Sequence, residues 1–357
     1  MKSNYDILGN HIRLIDTRNR ESITDRVLGI NIDKFFMPSV ANVIGTDLSK
    51  YKLITKGKFA CNPMHVGRDE RLPVALYDEE EPAIVSPAYF MFEVVDNSIL
   101  NEDYLMMWFR RPEFDRICWL HTDGSVRGGI TWDDICRLEL PIPPIEKQLE
   151  IVNSYKAITE RIVLKQKIND NLDDTAQTLY QKYFESNSDK SSWKQGTVGD
   201  VLQLQRGYDL PRTEMTGGKY PVAGSTGTIG YHDEFTAEAP VIVMGRSGNI
   251  GNPRLYLCNC WTHNTSLYVK QIYEAEPLWV FYLLKNLNYD GFVGGSAVPT
   301  LNRNDVHAYG IAIPPLELQK SFSQKVMSLI YCKEENLSEI EKLQELQKII
   351  LTTMSSR

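Results

Sequence analysis

The residues whose types and spacing could do chemistry are arginines and amides set among glycines. The clearest group is Met244-Gly245-Arg246-Ser247-Gly248-Asn249-Ile250-Gly251. Around it in the second half stand Arg206, Lys219, Ser225, Thr226, Arg254, Asn302 and Arg303. The first half offers Arg18, Arg20, Arg68, Arg71 and Arg127. A guanidinium fork fits the acceptor pair of guanine and a primary amide fits adenine, while Ser, Thr and Lys hold phosphates. One arginine in a loop is ordinarily a solvated charge. A set that recurs in both halves points to double-stranded DNA, with these fifteen residues as candidate contacts.

Enzyme motifs are imitated without being completed. Gly245-x-x-Gly248-x-x-Gly251 and Gly224-x-x-Gly227-x-x-Gly230 lack both the dinucleotide spacing and the Lys-Ser/Thr of a phosphate loop. Ser86-Pro87-Ala88-Tyr89 lacks the amide or carboxylate that would hold a target amine for methylation. The six histidines form no metal-binding pair, and no serine sits in G-x-S-x-G. Asp133-Asp134 could pass for an acid pair, but its repeat counterpart is Asn304-Asp305, which suits a cap better. The expectation is a chain with no catalytic residue, no metal and no cofactor.

Composition narrows the class. With 39 Lys+Arg against 46 Asp+Glu, the net charge of −7 argues against a protein that coats nucleic acid non-specifically. Residues 1–144 hold 17 of the bases and 22 of the acids, so most of the deficit lies there. The six cysteines form no C-x-x-C pair and predict reduced thiols in a cytoplasmic protein. No apolar run reaches membrane-spanning length, and Met1-Lys2-Ser3-Asn4 does not open a signal sequence.

The elements that must position these loops follow from glycine and proline. The 40 Gly and Pro residues are absent from 145–195 and 316–357, so two long helices are expected there. The windows open alike, Ile142-Pro143-Pro144-Ile145-Glu146-Lys147-Gln148 and Ile313-Pro314-Pro315-Leu316-Glu317-Leu318-Gln319, at an offset of 171. Proline in a first turn costs no hydrogen bond, and a glutamate there meets the positive end of the dipole. Upstream, Gly124-Ser125-Val126 matches Gly295-Ser296-Ala297, and Leu8-Gly9-Asn10 resembles Val198-Gly199-Asp200. The chain is therefore a tandem duplication.

Alternating steps of four and three residues trace an apolar seam on each helix. It runs through Ile151, Ile158, Ile162, Leu172 and Leu179 on the first, and Phe322, Val326, Leu329, Ile340, Leu343 and Ile350 on the second. That period is the coiled-coil signature, and the simplest partner for each helix is the other, packed antiparallel. Both seams turn polar near the middle, at Lys165 and Asn169 and at Lys333 and Asn336. Strands are expected at 83–95, 240–244 and 261–269, strand–turn–strand over 220–231, and helices at 104–114 (ending near Pro112) and 277–287. The predicted class is α+β: globular segments at 1–144 and 191–315, long helices at 145–190 and 316–357, the whole a pseudo-two-fold duplication.

These features resemble the specificity subunit of type I restriction–modification systems. The duplicated Ile-Pro-Pro-Ile/Leu-Glu-x-Gln starts, the Gly-Ser lead-ins, the 224–231 turn and the Arg246 loop carry the resemblance across nearly the whole chain. It implies two target recognition domains, each reading half of a split DNA sequence, and two spacer helices that hold the halves apart. It implies partners as well: two modification subunits that methylate adenine with S-adenosylmethionine and, in systems that have them, ATP- and magnesium-dependent restriction subunits. The chain itself would be a non-catalytic subunit. Gly128-Gly129 against Pro299-Thr300 is a departure that leaves open a specificity partner of a bifunctional restriction–methylation enzyme. The residues alone also leave open a coiled-coil scaffold that does not bind DNA, and a cryptic enzyme.

Overall fold

The computed structural model describes residues 5–41, 43–64, 66–122, 128–289 and 300–354. Arg127 and the lead-in repeats at 124–126 and 295–297 lie outside the described residues. The chain divides into two compact units, Met1–Leu164 with Glu339–Arg357, and Lys165–Ser338. The division cuts both long helices, so each unit owns a globular body and half of each helix.

The first unit holds strands β1 (Tyr5–Ile7), β2 (Ile12–Ile15), β3 (Val27–Ile30), β4 (Phe36–Pro38), β5 (Lys52–Ile54), β6 (Phe59–Cys61), β7 (Val74–Leu76), β8 (Ala83–Val85), β9 (Phe90–Val94) and β10 (Glu139–Pro141). Its short helices are α1 (Val66–Asp69), α2 (Glu102–Phe109), α3 (Pro112–Leu120) and α4 (Trp132–Cys136). Two four-stranded sheets form, in the orders β2-β9-β6-β7 and β4-β3-β8-β5, and β1 closes antiparallel on β10. Phe59 stacks on Phe92 at 5.0 Å, Phe109 packs edge-on against both, and Phe114 tilts against Phe109 in the same buried core. The expected single strand over 83–95 is broken into β8 and β9. Pro87 supplies no donor, and Ser86 ties the turn by accepting from the Ala88 and Tyr89 amides. Pro112 starts α3 instead of ending one long helix, because the first helical turn needs no N–H there.

The second unit holds β11 (Lys194–Thr197), β12 (Leu202–Arg206), β13 (Tyr220–Gly224), β14 (Gly227–His232), β15 (Val241–Gly245), β16 (Gly251–Tyr256), β17 (Trp261–Thr262), β18 (Ser266–Ile272) and β19 (Gly310–Ile313). The long helix α5 (Ile145–Tyr180) enters it, followed by α6 (Pro277–Asn286), α7 (Arg303–His307) and the second long helix α8 (Leu316–Thr353). The sheets run β12-β18-β15-β16 and β14-β13-β17, and β11 pairs with β19 as β1 does with β10. The expected strand over 261–269 is also split. Ser266 N–H donates to the His263 carbonyl, and the His263 ring bonds the Thr265 hydroxyl, so local polar side chains make a turn of 263–265.

Helix α8 fills nearly all of its glycine- and proline-free window, while α5 spans about 54 Å at 1.5 Å per residue. Its α-form stops at Tyr180, with a π-helical turn at Gln181–Glu185, short of the expected 190. Every seam residue named above is buried or half-buried. In the first unit Ile151 and Ile350 pack on its core; in the second Phe322 and Val326 join the core, with Leu179 and Leu329 against it. Within the second unit the helix pair is antiparallel. Lys165 Nζ donates to Asn336 Oδ1 (2.8 Å), Asn336 Nδ2 to Asn169 Oδ1 (2.9 Å), and Lys333 pairs with Asp173. Within the first unit, Gln347 meets Thr159 and Glu339 meets Arg161 in the same sense.

The glutamine of the duplicated start has a mechanical role. Gln148 and Gln319 are 0% and 1% exposed. Gln148 Oε1 accepts from the amide of Asn101, the residue capping α2, and Nε2 donates to the carbonyls of Ile99 and Pro143. Gln319 Oε1 accepts from the amide of Glu276, which precedes α6, and Nε2 donates to the Pro314 carbonyl. In each unit one side chain fastens the long helix to the start of the domain's own helix.

Candidate nucleic-acid interface

In the second unit three turns and a strand end come together at the beginning of β18. Arg206, the last residue of β12, faces Leu267 on one side of β18. Gly245, the last residue of β15, faces Ser266 on the other. Arg246 follows directly, its N–H donating to the Thr265 carbonyl (3.0 Å) and its own carbonyl accepting from Leu301 (2.8 Å). Arg206 Nε donates to the Asn264 carbonyl at 3.3 Å. The β13–β14 turn joins through Ser225, whose N–H reaches Thr265 Oγ1 (3.4 Å) and whose carbonyl accepts from Asn249 Nδ2 (3.2 Å).

Glycine permits this closeness. A Cβ on Gly245 would overlap the Asn249 carbonyl, and one on Gly207 would overlap the His263 carbonyl. Gly248 has φ of +76°, which only glycine adopts without strain. The loop glycines that resemble a phosphate cradle thus serve to bring backbones together.

The nominated residues divide by what holds them. Arg246 is half-buried, and burial together with the neighbouring Arg206 lowers its pKa. Arg254 is exposed, and its Nη1 lies 3.0 Å from where a Cβ of Gly227 would stand. Thr226 is exposed at the tip of the β13–β14 turn, and Ser247 bridges to Thr300. Lys219 lies over the Tyr220 ring at 4.7 Å. Asn302 accepts from the Asn304 amide (3.0 Å) and so caps α7, whose first residue is Arg303.

The first-unit arginines are not gathered in this way. Arg18 is held by Asp16 and the Lys50 carbonyl, Arg68 by its neighbour Asp69, and Arg71 by Asp33 at 2.9 Å. Arg20 is exposed.

Residues at the centre of the second-unit cluster were not anticipated. His263, Asn264 and Thr265 sit where a strand was expected, although three consecutive polar residues before Ser266 were the available signal. Among the described residues no group of His, Cys, Asp and Glu could hold a metal ion, and no helix is long and apolar enough to cross a membrane.

Comparison with known proteins agrees with this architecture. Residues 190–349 match the family model of the type I restriction modification DNA specificity domain. Over 98% of its length the chain is 21% identical to a Methanocaldococcus jannaschii protein assigned by name as the MjaX type I restriction enzyme specificity subunit, of which 88% is covered. The crystal structure of the type I restriction–modification S subunit from M. genitalium has the same fold, with a TM-score of 0.62 at 15% identity, over 100% of this chain and 97% of that one. A chain from a structure concerned with assembly and conformational transition of the type I R-M system matches at 0.52 and 16% identity, covering 98% and 96%. The matched domain, the full-length relative and the duplicated fold are all those of type I restriction–modification specificity subunits, the proteins to which this chain is similar.

Proposed function

We propose that each globular body reads one half of a bipartite DNA target, and that α5 and α8 set the gap between the halves. Two modification subunits dock on this scaffold and methylate adenine with S-adenosylmethionine. Restriction subunits, in a system that has them, add ATP-driven cleavage. The chain supplies no catalytic group or cofactor of its own and works in the cytoplasm. The observation that carries this reading is the convergence of Arg206, Arg246 and the 225, 249 and 263–265 turns on one end of a sheet. A reader of base edges needs donors and acceptors held on rigid strand ends, and that is what the convergence provides.

The net charge of −7 is compatible with this. Bulk charge governs non-specific grip on phosphates, whereas a few loop arginines suffice for base reading. The isolated chain should accordingly bind DNA weakly, and the assembled complex tightly and selectively. The test is to map methylated adenines in cells with and without this chain. A split motif that disappears with the chain is expected; an unchanged methylation pattern would refute the proposal.

A further inference from the structure

The arginines of the two units are in opposite electrostatic states. In the first unit Arg13, Arg18, Arg26, Arg68, Arg71 and Arg111 each sit against a carboxylate. In the second, the ion pairs Lys190–Glu185, Lys320–Glu317 and Lys333–Asp173 are all made by lysines. Arg206 and Arg246 flank the same strand, so like charges are brought near each other.

The amides of the same face are in the reverse condition. Asn249 Nδ2 donates to the Ser225 carbonyl, and its Oδ1 accepts from Asn252 Nδ2. Asn264 Nδ2 is held by Asp209, and Asn302 Oδ1 caps α7. Reading adenine takes an amide with both donor and acceptor available; Asn249 has both engaged within the protein, Asn264 its donor and Asn302 its acceptor. Reading guanine takes a guanidinium fork, and forks are what this face leaves unneutralised. We propose that the second unit reads a guanine-containing half-site through Arg246, with Arg206 beside it. This rests on the DNA-reading function proposed above and names the base class that the second unit selects. A phosphate clamp would explain an exposed arginine equally well. Arg246, however, is half-buried at the base of its turn, with its backbone bonded on both sides, which suits a fixed fork.

The experiment selects DNA from a randomised duplex library with the complex of this chain and its modification subunits, at two salt concentrations. The wild type should select guanine in one half-site. Arg246→Ala should cut discrimination at that guanine by about 5- to 150-fold, the usual worth of a bidentate contact, and leave the other half-site unchanged. Arg246→Lys keeps the charge and lacks the fork, so it should lose the guanine preference while keeping the salt dependence. The inference is overturned if neither half-site contains guanine. It is also overturned if Arg246→Lys retains the preference, or if Arg246→Ala weakens all sequences equally. A wild-type complex with no sequence preference would instead refute the DNA-reading function and take this inference with it.

Discussion

Replacing Gln319 by Leu tests how the second recognition body is held to its helix. Leucine fills nearly the same volume, so packing is preserved and only the polar bonds are lost. Two buried groups are then orphaned, the Glu276 N–H (2.9 Å) and the Pro314 carbonyl (2.9 Å). Glu276 has no side-chain cap on α6, so Gln319 acts as the capping partner supplied by another helix. An orphaned buried group costs about 1–3 kcal/mol, and two give roughly 2–5 kcal/mol if water rescues part of one. The chain has two compact units, so a single unfolding midpoint would mix them. Amide hydrogen exchange resolves the question locally: the Glu276 amide and the first turn of α6 should exchange faster by the factor that free energy implies. Gln148→Leu should loosen α2 in the first unit more strongly, because it breaks three bonds. If both variants stay within about 0.5 kcal/mol of wild type, as ordinary surface changes do, the glutamines are incidental and the fastening argument is wrong.

Other predictions are more direct. Inserting four residues within 160–180 of α5, matched by four in the facing part of α8, should lengthen the accepted gap by about 6 Å, or roughly two base pairs. Methylation mapping reads this, and an unchanged gap would count against the spacer role. Asn336→Leu should destabilise the helix pair by about 1–3 kcal/mol, because it takes a partner from both Asn169 and Lys165. Asn169→Leu with Asn336→Leu should recover the Asn169 share of that loss in thermal unfolding, leaving the share of Lys165, and equal stability of all three forms would remove the polar seam from the account. His307 accepts the Leu204 amide through Nε2 at 2.9 Å, and burial and Arg303 lower its pKa below the ordinary imidazole value of 6.5. The neutral ring is the native form. The contribution is therefore intact above about pH 6.5 and falls away as pH drops from there toward the lower native value. Exchange protection of β12 should weaken over that window, and an equally steep loss in His307→Phe would show that other groups are responsible.

Much of this architecture is legible in the residues alone, for physical reasons. Glycine and proline are so costly inside helices that their absence over 145–195 and 316–357 marks α5 and α8. The seam is legible because burial must repeat every three or four residues. The splits at Ser86-Pro87 and at 263–265 were missed because β-branched and aromatic residues on both sides favour strand, and a short turn is decided by side-chain bonds across one or two residues. The pairing of Arg71 with Asp33 could not be read at all, since it joins positions 38 apart that only the fold brings together. Nor was the role of Gln148 and Gln319 visible. Repetition singled them out, but their partners at Asn101 and Glu276 lie 47 and 43 residues upstream.

The duplication also shows which constraints differ between the halves. Gly9 lies against Cys136 and Gly199 against His307, so the same close approach recurs at the offsets seen in the sequence. Gln148 and Gln319 repeat, as do β1–β10 and β11–β19. All these positions do one mechanical job, closing a domain onto its long helix, and a mechanical job tolerates few solutions. The loops, by contrast, differ between the units. The first unit carries most of the negative charge and neutralises most of its arginines internally, while the second keeps its arginines unneutralised at one sheet end. A scaffold repeated for mechanics and loops diverged in charge fit the split, asymmetric target proposed above. Identical loops would read the same half-site twice, and a symmetric target would need no second reader in the same chain.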